Sequence, residues 1–375
     1  MQELKKVNAS TAIARFIHTE YASGIFLLLS VVLAIVWANS SGSDVYHHLW
    51  EVELGPLSLH AWINDGLMAI FFFVIGLELK REFTEGELST LGKALLPMTA
   101  ALGGMLVPAI IYYLINYGSP ASTGWGIPMA TDIAFALALL SMAGKHIPVS
   151  VKVFLSALAV ADDLGAILVI AFFYSNGINF ISLFAGAAFL LVLFAGNKFG
   201  VKTIWFYLFL GIGVWTGFLL SGVHATIAGV LVAFSIPANV AEKLEGGLHP
   251  WVAFIIMPLF ALANSGIRIG ADFGQALLNP VSFGVAAGLV IGKFTGIFSF
   301  TWLLVKAGFS TLPSMASWKH IAGVALLGGI GFTMSIFISG LAFEDPVFIN
   351  QAKYGILLAS VLAGIMGILV LKRVR

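Results

Sequence analysis

Two adjacent carboxylates, Asp162 and Asp163, stand in the middle of an apolar run from Val153 to Tyr174 that holds no other charge. The run is long enough to cross a bilayer as a helix, which takes about 20 apolar residues. A carboxylate at bilayer depth costs about 3 kcal/mol or more, and by default it marks an ion or proton pathway. Neighbours on a helix point about 100° apart, so the two acids cannot make the same contact. Ala159 and Ala166 lie within one turn of both, and small residues let a second helix or an ion come close. The structural alternative is a pair of acids each satisfied by a hydroxyl or a lysine on a neighbouring helix.

The surrounding composition fits that reading. Hydrophobic residues make up 59% of the 375 and charged residues only 10%, with a mean hydropathy of +1.00. This is an all-α polytopic membrane protein rather than a soluble domain. Without cysteine the chain has no disulfide framework and no thiolate metal site. A net charge of +1 with no basic run gives no reason to expect nucleic acid, and membrane lipid is the expected surroundings. Lys5, Lys6 and Arg15 precede a long apolar stretch without a small-residue cleavage pattern, which predicts an uncleaved first span.

The hydropathy pattern predicts twelve transmembrane helices in a single domain over 1–375. They fall at 21–39, 62–80, 94–116, 124–143, 149–174, 180–198, 203–219, 222–237, 248–268, 282–306, 318–342 and 352–371. Charge supports an even count. With the N-terminus inside, the inner ends carry Lys5, Lys6, Arg15, Lys80, Arg81, Lys93, Lys145, Lys152, Lys198, Lys202, Lys243, Lys306, Lys319, Lys372, Arg373 and Arg375. The outer ends carry only Arg268 and Lys353. That bias predicts both termini in the cytoplasm. The longest outer connection, 40–61, alternates apolar residues around Gly55-Pro56, a pattern for a short β-hairpin. A lone hairpin is marginal in water, so it either pairs, for example with the same loop of a second copy in a homodimer, or stays a solvated loop.

Two spans carry signs of interruption. Span four reads Gly126-Ile127-Pro128-Met129-Ala130-Thr131-Asp132; Pro128 removes a donor and frees backbone groups beside Thr131 and Asp132. Carbonyls, a hydroxyl and a carboxylate are the ligands a hard cation takes. Span eleven holds Gly328-Gly329-Ile330-Gly331-Phe332-Thr333-Met334-Ser335, whose glycines either break the helix or serve as a packing face. Interrupted spans in the two halves of a chain are a pointer to a midplane transport site. In span ten, Lys293 is too deep to snorkel, so it either needs a carboxylate partner, from among Asp65, Asp132, Asp162 and Asp163, or must be neutral. Glu78, at the end of span two, reads as an interfacial collar with Lys80 and Arg81. His224 reads as a helix-start packing residue. Glu245 and His249 share a membrane edge, where they either titrate near neutrality or are simply solvated. No metalloenzyme, hydrolase or nucleotide-binding motif is present, and no enzyme activity or cofactor is expected.

Five stretches in order carry a family resemblance. Ala130-Thr131-Asp132, Ala161-Asp162-Asp163-Leu164-Gly165-Ala166, Ser221-Gly222-Val223-His224-Ala225-Thr226, Leu248-His249-Pro250-Trp251 and Gly329-Ile330-Gly331-Phe332-Thr333-Met334-Ser335 resemble the NhaA-type Na⁺/H⁺ antiporters of bacteria. The resemblance implies twelve helices with an inverted repeat, spans three to five against ten to twelve, whose interrupted spans four and eleven cross. It also implies that Asp162 and Asp163 bind Na⁺ or Li⁺ and exchange protons. Asp132, with Thr131, and Lys293 would compensate charge at the crossing. Glu78, Glu245 and His249 would belong to a cytoplasmic pH-response region. The chain departs from the family at Phe294, where a proline is expected, and at Gly246-Gly247, where a histidine and an apolar residue are. The first departure predicts a straighter helix at Lys293; the second bears on the pH set-point.

The resulting expectation is an inner-membrane secondary antiporter that exports cytoplasmic Na⁺ or Li⁺ for external H⁺, electrogenic and activated at alkaline pH. Three rivals were weighed against it. A light-driven pump would use a span lysine for retinal, but twelve spans with that lysine in the tenth do not fit. An intramembrane aspartyl protease needs facing acids that share a proton, whereas these two are adjacent on one helix. A Na⁺ channel would show repeated acids forming a ring, and none is present.

Overall fold

The structure is a computed structural model and describes residues 22–144, 146–175, 177–269 and 273–374. Lys5, Lys6, Arg15, Lys145 and Arg375, together with the first residue of the first expected span, lie outside the described residues.

Runs of leucine, alanine, isoleucine and phenylalanine give helices nearly everywhere. Among the described residues seven are long and apolar enough to cross a membrane: Leu59–Thr84, Leu91–Ile115, Val149–Phe173, Phe180–Lys198, Ala238–Asn264, Pro280–Lys306 and Pro346–Lys372. Three further pairs pass the same test with a bend, namely Ala22–Ala38 with Ser43–Glu51 at 114°, Pro120–Met129 with Ile133–Ala143 at 45°, and Trp318–Leu327 with Phe332–Ala342 at 46°. Ile204–Leu219 and Ala225–Ser235 are shorter apolar helices. Exposed leucine, phenylalanine and isoleucine side chains line the outer faces of these helices, as expected where the solvent is hydrocarbon.

The 40–61 connection holds the helix Ser43–Glu51 and a small antiparallel ladder, Glu53–Leu54 with Leu57–Ser58. Gly55 takes φ +70° at its turn, a conformation open to glycine at little cost. The ladder is tied back to the helices by Trp62, whose indole N–H donates to the Leu54 carbonyl at 2.8 Å.

One expected edge needs correction. The span placed at 248–268 starts instead at Ala238. Gly246 and Gly247 sit within this helix and face open space. Around Phe294 the span runs as one helix, Pro280–Lys306, with a π-helical turn, Gly288–Gly292, immediately before Lys293. Such turns absorb an extra residue inside a helix and often mark functional positions.

Six elements form two similar units. Residues 91–173 run long helix, broken element, long helix, and residues 280–372 repeat that order. The first helices of the two units touch backbone to backbone: a Cβ on Gly296 would lie 2.1 Å from the Gly103 carbonyl oxygen. One turn before that contact, the Lys293 stem runs past Gly104, which directs its ammonium toward the broken elements.

Candidate ion site at the crossing of two broken helices

Pro128 and the glycines of 328–331 determine where the two helices stop. Ala130 is extended, with φ −83° and ψ 149°. The freed backbone of one break is satisfied by the other, since the Asp132 N–H donates to the Ile330 carbonyl at 2.7 Å. The Ser335 hydroxyl donates to the Ile127 carbonyl at 2.8 Å. Asp132 serves both inner helix starts. One of its oxygens accepts the Phe135 N–H at 3.1 Å, capping Ile133–Ala143. The other accepts the Thr333 hydroxyl and, at 3.3 Å, the Thr333 N–H in the first turn of Phe332–Ala342. A carboxylate there opposes the positive ends of two helix dipoles at once.

The helix Val149–Phe173 brings its acids up to this crossing. Asp162 and Lys293 are fully buried and form an ion pair. Of the four acids available to the lysine, this is the partner. Between them stands Thr131, which accepts from Lys293 Nζ at 3.0 Å. Its hydroxyl lies 2.6 Å from Asp162 Oδ2 and 2.9 Å from the Gly328 carbonyl. A hydroxyl has one proton, so Thr131 serves only one of these acceptors at a time.

Asp163 points elsewhere. It lines a cavity of about 90 Å³ together with Thr131, Asp132, Glu78 and His249. Ser23 of the first helix and Val252, the first residue of a second π-helical turn, also line it, among apolar side chains such as Leu27, Phe71 and Met257. Asp163 is 2% exposed, and its Oδ1, like that of Asp162, is buried and accepts no hydrogen bond. The wall thus presents three carboxylates, of Glu78, Asp132 and Asp163, and the hydroxyls of Ser23, Thr131 and Thr333, oxygen ligands of the kind hard cations prefer. Among the described residues no three His, Asp or Glu side chains converge as a metal cage.

The remaining expected residues divide. Glu78 and His249 face the cavity with Asp163. Glu245 does not; it is 7% exposed and forms an ion pair with Arg81. Arg81 also lies 3.9 Å from Glu78 and 3.7 Å from Glu82, so one guanidinium joins the cavity mouth to the start of the ninth span. His224 begins the helix Ala225–Ser235, and its Nε2 lies 2.6 Å from the Tyr174 carbonyl. Sequence reasoning passed over Ser23 and Tyr174. A serine near a span end and an aromatic residue just past one look like ordinary interfacial residues.

This geometry agrees with the comparisons to known proteins. A family model described as Na⁺/H⁺ antiporter 1 matches residues 14–371. The chain belongs to that antiporter family. Among its relatives, an Na(+)/H(+) antiporter NhaA 2 of Clostridium beijerinckii is 46% identical, with 99% of this chain and 96% of the relative covered. An Na(+)/H(+) antiporter NhaA of Phocaeicola vulgatus is 43% identical, covering 99% and 98%. One from Shewanella sp. strain ANA-3 is 48% identical, covering 97% and 98%. The resemblance to NhaA-type antiporters therefore runs through nearly the whole chain.

Proposed function

We propose that this protein exports Na⁺, and also Li⁺, from the cytoplasm in exchange for external H⁺. The observation that carries the reading is Asp163. It is a buried carboxylate with an unpartnered oxygen, open to a small oxygen-lined cavity, and it adjoins an Asp162–Lys293 pair held by Thr131. A proton and a cation compete for that carboxylate, so the site holds one or the other. Alternating its access between the two sides then gives obligatory exchange. Cations reach it along the wall of Glu78 and His249, and these two with Glu245 and Arg81 make up the pH-responsive mouth that favours activity at alkaline pH.

Several features support the placement. Seven long helices, three bent pairs and two shorter apolar helices are consistent with twelve spans. The near-equal bends of the two broken elements are consistent with an inverted repeat. The charge bias favours the inner membrane with both termini cytoplasmic, and the ladder at 53–58 leaves Glu53 and Leu54 exposed to pair with a second copy. If a cation at Asp163 draws Asp162 away from Lys293, the ammonium gives up a proton as well. More than one proton then leaves per cation, and the cycle moves net charge.

The test uses inverted vesicles given Na⁺, Li⁺ and K⁺ separately at pH 6.5 to 8.5. Proton flux is expected with Na⁺ and Li⁺, rising with pH, and lost in Asp163→Asn. Na⁺-dependent flux retained by that variant at any pH would remove the site assignment. In proteoliposomes with a Na⁺ gradient and a valinomycin potential, each 100 mV contributes about 2.3 kcal/mol per net charge. Flux indifferent to that potential would leave exchange standing but make it electroneutral.

A further inference from the structure

The first broken element begins with an unusual segment, a ten-residue 3₁₀ helix, Pro120–Met129. Such runs rarely exceed three or four residues, because their hydrogen bonds are poorly aligned. This one is supported from outside. At its start the Tyr112 hydroxyl donates to the Ala121 carbonyl at 2.9 Å. Its middle is held by Tyr174, whose hydroxyl donates to the Thr123 carbonyl at 3.0 Å and accepts the Gly126 N–H at 3.0 Å. The approach is close enough to demand glycine, since a Cβ at Gly126 would lie 2.5 Å from the Tyr174 oxygen.

Tyr174 immediately follows Val149–Phe173, the helix that bears Asp162 and Asp163. That helix therefore grips the broken element twice, through Tyr174 at Thr123 and Gly126 and through Asp162 at Thr131. Between the two grips lie the Ile127 carbonyl, which takes the Ser335 hydroxyl, and Pro128, where the helical pattern ends.

We propose that Tyr174 is a positioning residue for the ion site, its hydroxyl setting where Thr131 and Asp132 stand relative to Asp163. It acts without touching the transported ion, and the inference rests on the antiporter reading. Tyr174→Phe keeps the ring beside Trp125, whose centroid is 6.4 Å away, but removes the hydroxyl that bridges the Thr123 carbonyl and the Gly126 N–H. The segment then relaxes from its inner end and the oxygen ligands at the break drift.

The experiment compares wild type, Tyr174→Phe, Gly126→Ala and Tyr112→Phe in proteoliposomes. It reads the Na⁺ and Li⁺ concentrations for half-maximal proton flux, the maximal rate and the melting temperature. Tyr174→Phe is expected to raise the half-maximal concentrations about tenfold, the scale of losing two hydrogen bonds, with the maximal rate within about twofold. Gly126→Ala, which displaces the same hydroxyl, is expected to do likewise. Tyr112→Phe should lower the melting temperature and leave the ion dependence unchanged. Wild-type ion dependence in both Tyr174→Phe and Gly126→Ala, whatever their melting temperatures, overturns the proposal. If Tyr174→Phe does not accumulate, Gly126→Ala alone decides. Absence of Na⁺-dependent flux in the wild type would instead remove the antiporter reading itself.

Discussion

Replacing Asp162 by asparagine should destabilise the protein far more than the same change at Asp163. Lys293 is completely buried, and its ion-pair partner is Asp162. Asp162→Asn leaves its ammonium with the Thr131 hydroxyl at 3.0 Å and no ion-pair partner. Removing one member of a buried pair typically costs about 3–5 kcal/mol, because the other charge is left uncompensated. Unfolding entropies of about 2.1 cal/mol/K per residue, taken over 375 residues, turn that into a melting shift of about 4–6 °C. Helices that persist in detergent reduce the entropy change, so this is a lower bound. Asp163 has no ion-pair partner among the described residues, and asparagine there removes a buried charge without stranding another. Its melting temperature should equal or exceed that of the wild type. The assay is thermal unfolding of purified protein in one detergent, with a third variant, Asp162→Asn/Lys293→Met, to close the cycle. Loss of both charges should restore most of the stability. Equal melting temperatures for the two asparagine variants would refute the argument, as would a double variant no more stable than Asp162→Asn.

Two further outcomes follow from the packing and the crossing. Gly296→Ala would drive a methyl group into the Gly103 carbonyl, so it should cost about 1–3 kcal/mol and lower the amount of folded protein in the membrane. Gly92→Ala, on the same helix as Gly103 but facing open space, should melt like the wild type. Thr333→Val removes the hydroxyl that Asp132 accepts and should cost about 1.5–3 kcal/mol, the range for a bond to a charged group. Thr333→Ser should recover that stability in the same melting assay, and a valine variant as stable as the serine one would remove the hydroxyl's role.

What the sequence made legible follows from how local each signal is. The acid pair stood out because charge in a span is costly wherever the span packs. Pro128 located the first break, since a missing N–H acts on its own turn, while the clustered glycines of span eleven left a break and a packing face equally open. The partner of Lys293 was not readable. Asp162 lies 131 positions away, and the choice among four acids depends on a helix contact that forms only when Gly103 meets Gly296. Glu245 shows the same limit: it does lie near His249, but its ion-pair partner, Arg81, comes from another span. The early start of the helix at Ala238 was missed because two glycines and a proline argue locally for a loop, while neighbouring helices supply the support that such a segment lacks alone.

The size of the cavity beside Asp163 also governs hydration. Its volume of about 90 Å³ accommodates about three water molecules at the roughly 30 Å³ each occupies in the liquid. An alkali cation cannot bring a full shell of water into that space. Any ion that arrives there exchanges most of its hydration for carboxylate, hydroxyl and carbonyl oxygens, and it recovers that water only on release. On the exchange proposed at Asp163, dehydration is then the common toll on each passage, and the match between the lost shell and these few oxygens would set which ions cross fastest.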